Sequence, residues 1–375
     1  MTQSTAGRVG ATDRSDALAQ AFRRLSEAEP ENQAGTDDVS SLYPLYEGVA
    51  AALSESVEAL RALDTVPSGK RHPAVVLAAL HYLALAGRAP VLAAAYAAGD
   101  GDAAARAAID TVREKTDELA AVAVRHRLRP DETGRCPVLY PAIAEVARRA
   151  GADAVGLIDV NCSAGLNLNV DRVALTYDND GRTLGDPSSP VRMAASVVGE
   201  RPVPARAVPE VVARVGLDRD PLDVTDADDA RWLRACLRPG QRERAARLER
   251  EMALAATAPP LLLRGDAVTA LPDAVAPVPD GALPVALTTW ALSRHSREKR
   301  QRFLHRLQEA AAHRPVAWVS VEGVGVAPTV PTFGDRPASG HSVIGVALFD
   351  GPHRRVEAVG RCWSRGRLLS WLAER

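Results

Sequence analysis

The sequence predicts an α/β protein in which an all-helical N-terminal region precedes a Rossmann-type sheet. Three observations predict it. Residues 42–124 carry helical periodicity and no short-period strand pattern. After about residue 150 apolar runs of strand length alternate with helical segments, the signature of βαβ units. The run Val155-Gly156-Leu157-Ile158-Asp159-Val160-Asn161-Cys162-Ser163-Ala164-Gly165 ends its apolar part in an acid, then passes through small residues into the polar segment Leu166 to Arg172. A buried parallel strand hands over to a helix N-terminus in this way at the carboxyl edge of such a sheet, where nucleotide-like ligands bind.

Taken in order, residues 1–40 are expected to be a flexible N-terminal segment with a short helix around Asp16 to Glu29. The helical domain then runs over 41–150. Leu45, Val49, Ala52, Leu53, Val57 and Leu60 fall on one helical face. Further helices are predicted over Pro73–Leu85, Pro90–Ala98 and Ala103–Arg125, punctuated by Pro67-Ser68-Gly69 and Gly99-Asp100-Gly101. The sheet domain occupies 151–375, with strands Val155–Val160, Val211–Leu217, Leu261–Leu263, Pro284–Thr289 and Val316–Val321. A helix over Arg297–His313 precedes the fifth strand, and Val343–Phe349 with Val356–Arg361 suits an antiparallel closing hairpin. Two insertions interrupt the domain: 173–208, rich in Pro, Gly and Asp, and 222–256, which reads as helical.

Composition narrows the function classes. Apolar residues make up 46% and charged residues 25% of the 375-residue chain, an ordinary balance for a globular protein. A net charge of −1 creates no overall field toward nucleic acid or an anionic membrane. Lysine occurs only at Lys70, Lys115 and Lys299; an arginine-dominated, alanine-rich chain reflects a GC-rich genome rather than RNA binding. Cys136, Cys162, Cys236 and Cys362 form no CxxC pair, which argues against a zinc site and implies no disulfide framework. The longest apolar tract, Ala74 to Ala98, is broken by His81, Gly87, Arg88 and Pro90, unlike a membrane span. A cytoplasmic protein is expected, acting on a small molecule without nucleic acid, membrane or metal.

Asp159, Asp218 and Asp266 end three consecutive predicted strands. In register they would line one crevice, where carboxylates accept hydrogen bonds from ribose hydroxyls or cationic and exocyclic amino groups. Taken singly, each also suits a turn or cap. Glu132 and Arg135 lie three apart at a helix start, placed either to grip a polar substrate or to form a solvated pair. Trp290, ending the fourth strand, offers a flat wall for an aromatic group or a cation, or packs on the following helix. His295 is a candidate general base if its loop turns inward. The basic face of Ser293 to Arg306 lacks interleaved aromatics and reads as solvated surface.

Two families resemble these segments. Asp159-x-Asn161-x-Ser163-x-Gly165 resembles the acid-x-Gly-x-Gly-x-Gly loop of class I S-adenosylmethionine-dependent methyltransferases; Gly216-Leu217-Asp218 resembles their second-strand acid and Gly265-Asp266-Ala267 their third. The chain from about residue 40 onward also resembles an uncharacterised bacterial family common in actinobacteria, through Leu42 to Glu47, His81-Tyr82-Leu83, Glu132 to Arg135, Ser163 to Leu168 with Asp171-Arg172, Arg214 to Asp218, and Asp228 to Leu233. Departures are Asn161 and Ser163 in place of glycines, and Thr288-Thr289-Trp290 where a histidine is expected. Cys362-Trp363-Ser364-Arg365-Gly366 stands in place of a His-rich turn.

The resemblance implies S-adenosylmethionine as cofactor. Asp159 would lie near its amino-acid moiety, above a loop of Asn161, Ser163 and Gly165. Asp218 would take the ribose hydroxyls, and Asp266 with Ala267 the adenine edge. The expected activity is methyl or aminocarboxypropyl transfer by proximity and alignment. A non-catalytic nucleoside- or partner-binding module of the same fold is the alternative. A third reading is a serine hydrolase, since Asn161-Cys162-Ser163-Ala164-Gly165 is one substitution from a nucleophile elbow, with Asp266 or Asp273 and His341 or His353 completing a triad around Ser163.

Overall fold

The computed structural model describes residues 6–27, 44–129, 132–178 and 181–373. The chain divides into two compact units, one of Met1–Asp131 with Asp226–Leu248, the other of Glu132–Thr225 with Glu249–Arg375. The division falls at 131/132 rather than 150, because helix 136–150 is built into the core of the sheet.

In chain order the first unit contains α1 (Ala6–Glu27), α2 (Pro44–Glu55), α3 (Val57–Leu63), α4 (Pro73–Leu85), α5 (Pro90–Ala98), α6 (Gly101–Glu114) and α7 (Thr116–Arg125). Pro73 and Pro90 open α4 and α5, where a missing N–H costs nothing. Helix α1 is longer than the sequence predicts and occupies much of the expected flexible segment; residues 28–43, including Leu42 and Tyr43, lie outside the described residues. The apolar face predicted from Leu45 to Leu60 is interrupted. Ser56 caps α3 by accepting the Ala59 N–H, so Val57 is exposed while Leu53 and Leu60 stay buried. The helix predicted over Ala103–Arg125 breaks at Lys115. Among the described residues no single helix is long and apolar enough to cross a membrane, and the apolar pair α4 and α5 is bent by 100°.

The second unit begins with α8 (Cys136–Ala150), followed by β1 (Ala154–Val160), a 3-10 turn at Leu166–Arg172, β2 (Ala174–Tyr177), β3 (Thr183–Gly185), β4 (Arg192–Val197) and β5 (Glu210–Asp218). Next come α9 (Ala227–Ala235), which belongs to the first unit, and α10 (Arg242–Ala256), which belongs to it as far as Leu248. The chain ends with β6 (Leu261–Arg264), α11 (Leu271–Val275), β7 (Leu283–Thr289), α12 (Arg297–Ala310), β8 (Val316–Gly323), β9 (Ser342–Asp350), β10 (His353–Trp363) and β11 (Leu368–Trp371).

Eleven strands form one sheet in the order β3-β2-β4-β11-β10-β9-β8-β7-β1-β5-β6. The five predicted strands form one parallel block, β6-β5-β1-β7-β8, and β9 and β10 are the antiparallel pair expected after it. The insertion 173–208 instead supplies three strands, β2 to β4, joined to β10 through β11. These strands are short and interrupted by Pro, Gly and Asp, so no alternation betrays them.

Both faces of the central strands are covered, which is why their sequences are apolar without alternation. Val155, Leu157, Val285, Leu287 and Val319 pack with α8, while Ile158, Val160, Ala286 and Trp318 pack with α11 and α12. Gly156 makes room on β1, since a Cβ there would lie 2.4 Å from Val278 Cγ1. Helix α8 is buried from Cys136 to Ala147 and touches β2 and β4 as well as β7, β8 and β9, so the sheet wraps around it.

Pro141 lies inside α8 and has no N–H to give the carbonyl of Pro137 one turn earlier. The Tyr177 hydroxyl of β2 donates to that carbonyl at 2.7 Å, both groups being buried. Replacing Tyr177 with Phe is expected to cost about 1–3 kcal/mol by orphaning the carbonyl. The test is a double-mutant cycle in urea: Pro141→Ala restores the helical N–H, and the Tyr177→Phe penalty should shrink in that background.

Candidate functional site

The carboxyl ends of β1, β5, β7 and β8 carry a concentration of buried polar side chains. The order of strands reverses between β1 and β7: the chain moves outward from β1 through β5 to β6, then crosses back to β7 and β8. Crevices at such points receive ligands in sheets of this kind.

The turn leaving β1 is strained. Asn161, Ser163 and Gly165 have φ of 57°, 53° and 69°, two of them without the freedom of glycine. The backbone compensates. Asn161 N–H donates to the Leu217 carbonyl at 2.7 Å, Ser163 N–H donates to Asp218 Oδ2 at 3.0 Å, and Leu222 N–H donates to the Ser163 carbonyl at 2.9 Å. A Cβ at Gly165 would lie 3.1 Å from Leu168 Cδ1 and 3.2 Å from Pro260 Cγ, a tight fit that adds to the preference for glycine set by φ. The segment that follows is a 3-10 turn with a kink at Asn169 rather than the expected start of an α-helix.

The three acids are staggered rather than in register. Asp159 lies beside Gly216, and Asp218 beside Arg264, so each acid sits two residues farther along than the last. Burial follows the stagger: Asp159 is 1% and Asp218 6% exposed, while the Asp266 side chain reaches 25%. Their roles diverge accordingly. Asp218 braces the turn, accepting from Ser163 N–H and, through Oδ1, from Asp220 N–H at 2.9 Å. Asp266 pairs with Lys299 Nζ at 2.5 Å and Arg219 Nη2 at 2.6 Å; partial burial acts to raise its pKa, but the two cations outweigh that and hold it well below the usual carboxylate range. Neighbouring Ala267 is a core residue packed among Leu271 and Leu217, not a crevice surface.

Asp159 is the deepest acid. Asn167 Nδ2 donates to it at 3.1 Å and lies 3.5 Å from Thr289 Oγ1 on β7. Burial, then the negative Glu132 nearby, pushes Asp159 up to about 8 against the opposing Asn167 bond and Arg135 charge. Glu132 and Arg135 are themselves buried, 3.8 Å apart, so they are not a solvated pair. Arg135 Nη1 donates to the Thr289 carbonyl at 2.9 Å and hydroxyl at 3.0 Å, and its guanidinium lies 5.1 Å from the Trp290 ring centre. One Trp290 face is thus already occupied by a cation. Trp290 has φ 51° and donates Nε1–H to Ser342 Oγ at 2.8 Å. Glu322, ending β8, accepts the N–H groups of Ala291 and Leu292 at 2.9 and 3.0 Å; burial outweighs these bonds and pushes it up to about 7.

The loop after β7 does turn inward at its far end. His295 Nε2 lies 3.3 Å from Asn161 Nδ2, and burial followed by the charge of Lys299 lowers its pKa, keeping the imidazole neutral near pH 7. The structure therefore joins Asp159, Asn161, Glu132, Arg135, Trp290 and His295 around the ends of β1 and β7. It also brings in Asn167, Thr289, Glu322, Lys299 and Arg219, which sequence reasoning did not assign to the site. Glu322 had the same signal as the three acids, a carboxylate directly after an apolar strand. The hydroxyl of Ser163 is buried and has no hydrogen-bond partner among the described residues; His341 bonds Asp335 at 2.9 Å instead.

These features define an α/β protein with a buried polar cluster at the switch point of a mostly parallel sheet. Residues 19–371 match the model of a family described as an uncharacterised protein conserved in bacteria (DUF2332), and the chain belongs to that family. No curated protein and no solved structure matches the chain.

A carboxyl raised above its ordinary value near 4 favours the folded state while protonated, and that contribution fades as pH rises toward about 8. Asp159→Asn, which keeps an acceptor for Asn167 without the charge, is expected to raise the thermal midpoint over wild type at pH 8.5. The advantage should narrow at pH 5, as read by differential scanning calorimetry across that range.

Proposed function

We propose that the second unit binds S-adenosylmethionine at the β1–β7 edge and transfers its methyl or aminocarboxypropyl group to a small molecule. The observation that carries this reading is the left-handed turn Asn161–Gly165, set between Asp159 and Asp218 where the strand order reverses. The order β6-β5-β1-β7-β8 can be numbered 3-2-1-4-5 as in a doubly wound sheet, which supports this reading. The residues fit the amino-acid end of the cofactor. Asp159 with Asn167 suits an ammonium group, and burying a cation beside Asp159 would return it to the charged state. Ser163 holds a buried hydroxyl without a partner among the described residues, ready for a carboxylate.

When bound, the cofactor supplies an electrophilic carbon on a sulfonium. His295, kept neutral, would take the proton of an incoming nucleophile at Nε2, displacing the Asn161 Nδ2–H that faces that nitrogen. Arg135 would keep Glu132 and the Thr289 end of β7 in position, and the free face of Trp290 would border an apolar substrate.

A specific observation favours the second reading, a binding module without turnover. Asp218 and Asp266, the acids that would meet ribose and adenine, are committed to backbone N–H groups and to Lys299 and Arg219. Calorimetric titration with S-adenosylmethionine and S-adenosylhomocysteine separates the two. Binding by wild type that weakens by about tenfold or more, about 1.4 kcal/mol, in folded Asp159→Ala is expected. No binding of either compound to wild type would overturn the transferase proposal, and binding without turnover on any nucleophile would leave the module.

A further inference from the structure

We propose that the helical unit contains a second small-molecule site, between α4, α5 and the start of α10, for a neutral, largely apolar ligand bearing one hydroxyl group. A cavity of about 700 Å³ lies there, lined by Leu45, Leu85 and Ala93, with His81 and Tyr96 as neutral polar members and Arg242 and Glu243 contributing one charge of each sign. That volume is within the range that encloses a drug-sized ligand, and an apolar wall with a few polar groups is the usual composition of such sites.

The polar groups specify the ligand. His81 Nδ1 faces two carbonyls at the end of α9, Leu237 at 3.0 Å and Ala235 at 3.3 Å. Carbonyls only accept, so Nδ1 carries the proton and Nε2 is the ring's acceptor. Burial lowers the His81 pKa, which keeps the ring neutral. Nε2 therefore accepts from a ligand O–H or N–H and gains nothing from an anion. The second, independent observation is Tyr96. It is 7% exposed, lines the same cavity, and its hydroxyl is sealed without a hydrogen-bond partner among the described residues. A buried hydroxyl left unpaired costs free energy, and the folded chain retains it against this cavity. Its ring meets His81 edge-on with centroids 5.7 Å apart, so the two groups are held as one polar corner in an apolar chamber. A ligand hydroxyl that donates to Nε2 can accept from Tyr96 after a small shift of the ring. Fully apolar molecules would lose both contacts, and carboxylates would meet the Nε2 lone pair.

The test uses the full chain and two isosteric probes, 2-naphthol and 2-fluoronaphthalene, in equilibrium dialysis. Saturable binding of 2-naphthol at one site per chain is expected, about fivefold or more tighter than 2-fluoronaphthalene, as one net hydrogen bond provides. Ala93→Phe, which fills the chamber, is expected to abolish binding of both probes. His81→Phe should remove the preference for the hydroxyl while leaving the weaker apolar binding. Should His81→Phe fail to fold, the probe preference in wild type and its loss in Ala93→Phe decide the matter. Absence of saturable binding, equal affinity for the two probes, or unchanged binding in Ala93→Phe would overturn the proposal.

Discussion

The guanidinium of Arg135 is the charge around which the carboxyl edge of the sheet is organised. It is buried, fastened by two bonds to Thr289 at the end of β7, and close enough to Glu132, Asp159 and Glu322 to oppose the burial of each. Burying carboxylates is expensive, and one cation cannot offset several of them. The acids respond by holding protons: Asp159 is pushed to about 8 and Glu322 to about 7. The edge is thus a buried, proton-rich polar cluster rather than a set of exposed anions. Such a cluster is poised to respond to a cationic group in a way that exposed carboxylates are not.

The second constraint is the left-handed turn after β1. Positive φ at Asn161 and Ser163 costs conformational energy, and the surrounding groups over-determine it: the Leu217 carbonyl accepts from Asn161 and Cys162 N–H, and Asp218 and Leu222 hold the backbone of Ser163. Positive φ recurs at Trp290, the first residue beyond β7. Strain thus collects at the two strand ends that flank the reversal in strand order. Asp218 illustrates how one residue type serves different ends. Its carboxylate maintains the turn from the neighbouring strand, whereas Asp266, two residues farther out, is held by Lys299 and Arg219.

Much of the fold was legible because its signals are local. The apolar runs of β1, β7 and β8 announce strands buried on both faces, those of β5 and β6 mark the strands beside them, and Pro73, Pro90 and Gly99 punctuate helices. Strands β2 to β4 and β11 were not legible, since they are four residues or so long and gain their partners from distant parts of the chain. The break at Ser56 was missed because a capping serine outweighed a continuous apolar stripe. Within the site, the acids and the small-residue turn were visible as residue types. Which of them would face a crevice was not.

The sequence by itself determined where strands end in carboxylates, that Asn161, Ser163 and Gly165 form the turn, and that a helical region precedes the sheet. It determined these because hydrophobic period, turn chemistry and capping act over a few residues. Only the tertiary structure decided that Asp159 would hold a proton, that Asp218 and Asp266 would be tied to partners, and that His295 would reach Asn161 across 134 positions of chain. Burial and charge pairing depend on which distant groups are brought within a few ångströms, and strand register sets that distance. A stagger of two residues between neighbouring strands was enough to separate three similar aspartates into a buried acid, a brace and an ion pair.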